Sequence, residues 1–440
     1  MCDKALKYHQ HLFNKLKITN VNTSVAFTYL CYAGSQVLSI VLNIIISKLS
    51  GIETYGQVVA LFSVSAIISN LVSFRSNDAV IVFFQKGSDQ NNEANKQLTI
   101  FLGLILDLIS GLIALSVFVF FSDRIAEFFL KSKESAEAVS HYAYILFIQI
   151  ITATPVAYLT LKERFVSIGI ISIGCNVLKI AIYLLLYYFK KQVAINDVVF
   201  SILISTSIFY GGLFLYVFYR NAFQNKDLKI NFARPQIHQF LSLSWKNFLS
   251  TTIKSGTQNV DSLLVSYLLG NRAAGIYGLT KQYASGITFL SYPFSIVYYT
   301  KIVTAVTEGD KKKLENLVLP VNRRLMFAFI VVSIGAMIFF NNFSNLNHEV
   351  GFVQKNILLI LVLVSAMLTA QCWWCRSFSN AVNAEYSVNA SWIGLGVFSL
   401  TAYPFIKYFG LNGAALSASL NSGLVFIYFK AKWENYQKHQ

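Results

Sequence analysis

The residues of this sequence that could do chemistry are a few ionisable side chains inside long apolar segments. A charged side chain at membrane depth is costly unless it faces a cavity or a partner. Such side chains therefore mark binding sites, ion pathways or ion pairs. Four are candidate cations of a cavity, namely Lys179, Lys246, Lys254 and Arg75. Four more are candidates for gating or ion coupling, namely Asp261, Lys281, Asp78 and Asp107.

Two of the cations lie deepest in their segments. Lys179 and Lys254 are each about ten residues from either end of an apolar run, or roughly 15 Å along a helix, and neither has an obvious partner nearby in the sequence. We interpret them as the centre of a cationic cavity. The alternative is snorkelling, in which the long side chain bends towards the membrane interface.

One acidic residue has a predicted partner on the next segment. Lys254 and Asp261 are seven residues apart, about two helical turns, and share a helix face. The following segment runs back from Arg272, which brings Lys281 to nearly the depth of Asp261. We predict an Asp261–Lys281 salt bridge. It is either a static lock between two helices or a switch that opens when substrate or a proton competes for the carboxylate.

The remaining charges have two interpretations each. Arg75 and Asp78 are three residues apart and can pair on one helix face, either as an interfacial pair or as part of a gate. Asp107 is the lone acid of an apolar run, where a proton-coupling role stands beside a structural one.

Motifs for enzyme chemistry are missing from the sequence. It contains no Walker A pattern, no H-E-x-x-H, no G-x-S-x-G and no zinc-ligand spacing. We therefore expect a transporter rather than an enzyme, without a cofactor or a metal. Its driving force would come from an ion gradient or from the substrate.

The composition indicates helices that cross a membrane. Of 440 residues, 55% are hydrophobic and 13% are charged, and the mean hydropathy is +0.54. Soluble proteins carry roughly twice that share of charge. The apolar runs do not alternate as barrel strands would, and the net charge of +16 lies in short loops, which excludes a nucleic-acid surface.

Apolar runs of bilayer length predict about twelve spans in two groups of six. The first group is 24–49, 55–84, 98–121, 139–161, 165–189 and 196–219; the second is 238–269, 273–303, 320–340, 355–379, 386–408 and 411–430. The predicted domains are an N-terminal tail (1–23), two six-helix bundles (24–219 and 238–430), a connector (220–237) and a C-terminal tail (431–440).

The basic residues favour cytoplasmic termini. With the N-terminus inside, roughly 22 of the 36 Lys and Arg residues fall in cytoplasmic segments and about nine in external ones, as the positive-inside rule requires. Lys190 and Lys191, in an external turn, argue mildly against this placement. We expect a multi-pass protein of the inner membrane with both termini in the cytoplasm.

The two halves repeat a short pattern. An apolar run, a glycine (Gly51 or Gly270) and a short turn lead to Tyr-Gly at the start of the next helix, at Tyr55-Gly56 and Tyr277-Gly278. Since each half has an even number of spans, the halves should be related by an axis along the membrane normal.

These features resemble the polysaccharide flippases of the multidrug/oligosaccharidyl-lipid/polysaccharide (MOP) exporter superfamily. The resemblance rests on the six-plus-six count, Gly51 to Gly56, Asp261 followed by LLG and GIYG, and the Y-F-G-L-N-G-A-A run of residues 408–415. It implies an all-α, V-shaped, MATE-like pair of bundles around a cavity that opens alternately to each side. The implied substrate is a polyprenyl-pyrophosphate carrying one oligosaccharide repeat unit, such as that of O-antigen in lipopolysaccharide.

The resemblance also implies roles and partners. Lys179, Lys246, Lys254 and Arg75 would offset the desolvation of the pyrophosphate, and the working partners would be a polysaccharide polymerase and a chain-length regulator. Two rival functions remain. An O-antigen polymerase should carry a large external loop, which is missing, and a multidrug antiporter should have an acidic rather than a lysine-rich cavity.

Overall fold

The computed structural model describes residues 21–439 except 75, 90–92, 163, 224–236, 239, 243, 246–247, 250, 254–258, 344–351 and 384. All regular elements in those residues are helices. The first bundle contains α1 (Val21–Leu49), α2 (Ile52–Val72), α3 (Ser76–Asp89), α4 (Glu93–Phe120), α5 (Ala136–Ile151), α6 (Ala153–Leu161), α7 (Phe165–Lys190), α8 (Ile195–Thr206) and α9 (Gly212–Phe223).

The second bundle begins with helical residues between 237 and 253. It continues with α10 (Val260–Leu269), α11 (Asn271–Val297), α12 (Tyr299–Thr307), α13 (Lys311–Phe343), α14 (Phe352–Gln371), α15 (Cys375–Val382) and α16 (Glu385–His439). Gly410 has non-helical backbone angles inside α16 and separates the two last predicted spans. The predicted all-α fold of about twelve spans is therefore confirmed.

Long apolar helices produce this fold because a backbone in lipid must satisfy its hydrogen bonds within its own segment. Seven helices in the described part of the chain are long and apolar enough to cross a membrane. Their outer surfaces are apolar as well: Leu400, Phe327 and Leu215 are 79%, 70% and 65% exposed. Such surfaces match a lipid solvent.

Several spans are broken in the middle, which the hydropathy pattern does not predict. The second span breaks between α2 and α3, and the fourth breaks at Thr152 between α5 and α6. Pro155 follows the second break and cannot donate a hydrogen bond to the carbonyl of Ile151. A π-helical turn, Ser207–Gly211, joins α8 to α9. The breaks place helix ends inside the first bundle.

The two bundles meet at a close crossing of α2 and α11. A Cβ atom on Gly56 would lie 1.7 Å from the carbonyl oxygen of Asn271, and one on Gly275 would lie 2.3 Å from that of Ile52. Ile52 and Asn271 are the first residues of the two helices, so the contact is reciprocal, as a local two-fold axis requires. Glycine is needed at both positions because the backbones touch.

This contact corrects the register of the repeat. The sequence pattern paired Gly56 with Gly278, whereas the structure pairs it with Gly275. Gly51 and Gly270 are the equivalent turn residues, with φ of +88° and +92°. Tyr277 instead packs in the core of the second bundle. We call this side of the molecule the Gly51 end.

Further polar contacts join the bundles at the Gly51 end. The amide of Asn271 donates to the carbonyl of Leu130 at 2.6 Å, and the hydroxyl of Ser266 donates to the carbonyl of Phe129 at 2.9 Å. Both carbonyls belong to the π-helical turn Ala126–Leu130, which follows α4. Away from this end, Phe83 of α3 packs edge-on against Phe240.

Candidate functional site

A cavity of about 480 Å³ lies in the first bundle, beside α11 of the second. Its apolar wall includes Leu42, Phe62 and Leu146. The rest of the lining is rich in amides and hydroxyls that can both donate and accept hydrogen bonds. These polar residues are Ser39, Asn43, Ser65, Ser69, Asn70, Tyr142, Gln149, Asn176, Lys179 and Gln282.

Lys179 is the charged residue among the described residues that line this cavity. It lies on α7, and its Nζ atom is 3.4 Å from the amide oxygen of Asn176, one turn earlier. The amide nitrogen of Asn176 donates to the carbonyl and the hydroxyl oxygens of Ser35 at 2.9 and 3.0 Å. The amide is thus oriented with its oxygen towards the ammonium, which keeps Lys179 at the cavity wall.

A second charged group joins α10 to α11. Lys281 Nζ lies 2.9 and 3.0 Å from the two carboxylate oxygens of Asp261. Tyr277 donates its hydroxyl to the same carboxylate at 2.8 Å, and the backbone N–H of Ser262 donates at 2.7 Å. The predicted salt bridge is therefore present. The Asp261 side chain is 4% exposed and that of Lys281 is 33% exposed, so the pair is buried on one side.

The charged pair lies next to the cavity along α11. Gln282, which directly follows Lys281, contributes to the cavity lining. It comes from the second bundle, whereas the other lining residues come from the first. A change in the position of α11 would therefore alter both the cavity and the environment of the pair.

Asp107 occupies the junction of the two broken spans. Its carboxylate accepts a hydrogen bond from the hydroxyl of Ser76, the first residue of α3. It accepts another from the backbone N–H of Thr154, the second residue of α6, at 2.8 Å. The N-terminal ends of helices carry partial positive charge. One buried carboxylate thus caps two half-helices at once.

The other predicted site residues are not placed. Arg75, Lys246 and Lys254 lie outside the described residues, and Asp78 lies on α3 although its side chain is not described. The predicted cavity cations are thus represented by Lys179. At the end of α7, Lys190 forms an ion pair with Asp197.

Reasoning from the sequence missed the neutral polar lining. The interpretation relied on charged residues and therefore did not include the amides Asn43, Asn70, Gln149 and Asn176. A usable signal is present, since Ser39 and Asn43, Ser65 and Ser69, and Asn176 and Lys179 each recur at three or four residues within apolar spans and therefore share a helix face.

Solved structures of transporters share this fold. One is an inward-facing multidrug resistance MATE family transporter of the MOP superfamily, with a TM-score of 0.68, 14% identity, and 94% of this chain and 96% of that chain covered. Its outward-facing counterpart gives a TM-score of 0.67 at 12% identity, covering 95% and 97%. A third is a MOP superfamily transporter from Pyrococcus furiosus, described as having a binding pocket of reverse polarity. It gives a TM-score of 0.66 at 13% identity, with 94% of this chain and 96% of that chain covered.

The chain therefore has the same fold as these MOP-superfamily transporters. No curated protein matches the chain. The profile of the family described as polysaccharide biosynthesis protein matches residues 45–346, and the chain belongs to that family. The resemblance drawn from the sequence is confirmed for the polysaccharide biosynthesis family, and its expected MATE-like fold is confirmed as well.

Proposed function

We propose that this protein is a flippase for a polyprenyl-pyrophosphate-linked oligosaccharide, of the O-antigen repeat-unit type. The head group passes from the cytoplasmic to the periplasmic face by alternating access, while the lipid chain remains in the bilayer. Membership of the polysaccharide biosynthesis family supports the substrate class, and the MATE-like fold supports the alternating-access mechanism.

The observation that carries this proposal is the lining of the cavity. An oligosaccharide presents many hydroxyl groups, which amide and hydroxyl side chains can bind from either direction. Its pyrophosphate needs a cation in a space of low dielectric constant. Lys179 supplies that charge among the described residues of the lining, and we propose that Lys246, Lys254 and Arg75 add to it.

In this proposal the protein lies in the inner membrane with both termini in the cytoplasm, and the Gly51 end faces the periplasm. The first bundle (24–219) and the second (238–430), which the connector (220–237) joins, move as units relative to each other. A polysaccharide polymerase and a chain-length regulator would receive the product on the periplasmic side.

We assign the coupling role to the acidic groups and their partners. The Asp261–Lys281 pair lies beside the cavity and opens when an anionic head group competes for Lys281. Asp107 is the candidate site of a coupling proton, because its carboxylate holds the ends of α3 and α6. Asp78 would belong to the cytoplasmic gate together with Arg75.

A multidrug antiporter is the rival within the superfamily. An acidic cavity would favour it, since its usual substrates are cations. The described lining of this cavity contains a lysine and no carboxylate, which favours an anionic ligand.

The test uses cells in which the chromosomal copy of this gene is deleted and replaced by variants. Neutralising the cavity with Lys179→Gln and Lys254→Gln should leave lipid-linked repeat units on the cytoplasmic face and abolish surface polysaccharide. Lys190→Gln, on the same helix as Lys179 but outside the cavity, is the matched control. Full surface polysaccharide in the double variant at normal membrane levels would refute the proposal.

A further inference from the structure

A second cavity lies between the two bundles and differs in chemistry from the first. It has a volume of about 350 Å³ and is lined by aliphatic and phenyl side chains, among them Val64, Val117 and Phe121 of the first bundle. Leu263 of α10 closes it from the second bundle. We call this cavity the apolar groove. Its charged lining residue is Arg124.

The apolar groove and the polar cavity lie on opposite faces of α2. From α2, the polar cavity is lined by Phe62, Ser65, Ala66 and Ser69, whereas the groove is lined by Val64, Ile67 and Ile68. At 3.6 residues per turn these two sets point in opposite directions. A single helix, about 10 Å thick, therefore separates a hydrophilic compartment from a lipophilic one.

We infer that the apolar groove holds a stretch of the prenyl chain of the carrier lipid, the rest of which remains in the bilayer, while the sugar head group occupies the polar cavity. This inference rests on the proposed function. A ligand made of a hydrophilic head and a long hydrocarbon chain needs adjacent compartments of both kinds. The two faces of α2 provide them.

Arg124 gives the groove a preference for a lipid with an anionic head. It lies just beyond α4 at the Gly51 end, exposed, with its guanidinium 5.9 Å from the ring centroid of Phe121. It can therefore meet the phosphate when the head group has moved to the Gly51 end, whereas Lys179 meets it while the head group occupies the polar cavity. Guanidinium groups bind phosphate through paired hydrogen bonds.

The position of the groove ties its shape to the arrangement of the bundles. Leu263 is two residues from Asp261, which the salt bridge joins to α11. Phe128, on the opposite wall, stacks on Tyr267 of α10 with ring centroids 5.6 Å apart. A movement of α10 relative to the first bundle would open or close the groove, so occupancy by the chain is coupled to the transport cycle.

The first test fills the groove and compares two substrates in proteoliposomes. Val117→Trp places an indole in the groove, and Val119→Trp, on the same helix with its side chain exposed elsewhere, is the matched control. We expect Val117→Trp to slow flipping of an undecaprenyl-pyrophosphate-linked sugar about tenfold, the effect of losing about two buried methylene contacts. Flipping of the geranyl analogue should be unchanged, and Val119→Trp should change neither rate.

The second test measures binding without transport. A diazirine-tagged undecaprenyl phosphate is cross-linked to the full chain in nanodiscs. Labelling of groove peptides should fall in Val117→Trp and also in Arg124→Gln, whereas Arg124→Lys should retain most of it. Tagged undecaprenol, which lacks the phosphate, should respond to Val117→Trp and not to Arg124→Gln.

The outcomes separate the inference from the proposed function. The inference is overturned if Val117→Trp slows both substrates equally or neither. It is also overturned if phosphatidylglycerol displaces the probe as well as untagged undecaprenyl phosphate does, since the groove would then be a general lipid site. A wild-type protein that binds the probe in the groove and flips neither substrate would contradict the proposed function alone.

Discussion

Removing Lys281 should destabilise the second bundle, because it leaves the carboxylate of Asp261 buried without its counter-ion. Lys281→Met keeps much of the length of the side chain and deletes its charge. The carboxylate would retain the hydrogen bonds from Tyr277 at 2.8 Å and from the N–H of Ser262 at 2.7 Å. Neither donor carries a formal charge.

The size of the effect follows from the burial of the two partners. Breaking a buried ion pair from one side costs about 3–5 kcal/mol. Lys281 is 33% exposed, so water relieves part of that penalty and we expect a loss of about 2–3 kcal/mol in the free energy of unfolding. Asp261→Asn together with Lys281→Met removes both charges and should recover most of the loss.

Thermal unfolding of the purified protein in detergent measures this cycle. We expect the single variant to melt several degrees below the wild type and the double variant to melt close to it. A single variant as stable as the wild type would refute the reasoning. Transport by the double variant then separates the two roles of the pair: a static lock predicts normal flipping, and a switch predicts loss of flipping in a stable protein.

Three further perturbations follow from the same structure. Lys179→Gln should lower the rate of flipping about tenfold or more, the effect of losing one charge-assisted hydrogen bond, and Lys179→Arg should retain part of the wild-type rate. If Lys179→Gln flips at the wild-type rate in a proteoliposome assay, the cavity assignment is contradicted. Gly275→Ala should lower the free energy of unfolding by at least about 1–3 kcal/mol, because the added methyl group overpacks against backbone. The control Gly286→Ala, where a Cβ meets nothing within 4 Å, should raise it by about 0.5–1 kcal/mol. Equal melting temperatures of the two variants would disprove the close crossing. Asp107→Leu should destabilise the protein by about 1–3 kcal/mol because two buried donors lose their acceptor. Asp107→Asn should fold, and its transport should no longer depend on a proton gradient. If transport by this variant still responds to the gradient, the coupling role is excluded.

The spans could be predicted from the sequence because lipid demands long apolar helices with internally paired backbones. The breaks at residues 73–74 and at Thr152 could not be predicted, since a hydropathy average runs across them. Their cause is tertiary: the carboxylate of Asp107 satisfies donors at the starts of α3 and α6, and no local pattern reveals which helix supplies that acceptor.

The candidate site was predicted in part. Depth along two antiparallel helices was sufficient to pair Asp261 with Lys281, and the position of Lys179 in its span indicated a cavity. The contact of Gly56 with Gly275 depends on how two helices cross, which the Tyr-Gly pattern misplaced by three residues. The neutral lining was missed because an amide in an apolar run carries no charge, and the search used charge to select residues.

The crossing of α2 and α11 has a consequence for the way the bundles can tilt. Helices that interlock through large side chains must disengage those side chains before their angle can change. At Gly56 and Gly275 backbone meets backbone, and further along α11 Val59 packs against Gly278. Each of these contacts has a glycine on at least one side, so the angle can vary with little change in the separation. The crossing thus has the properties of a pivot, around which small rotations near the Gly51 end become large displacements at the far ends of the helices.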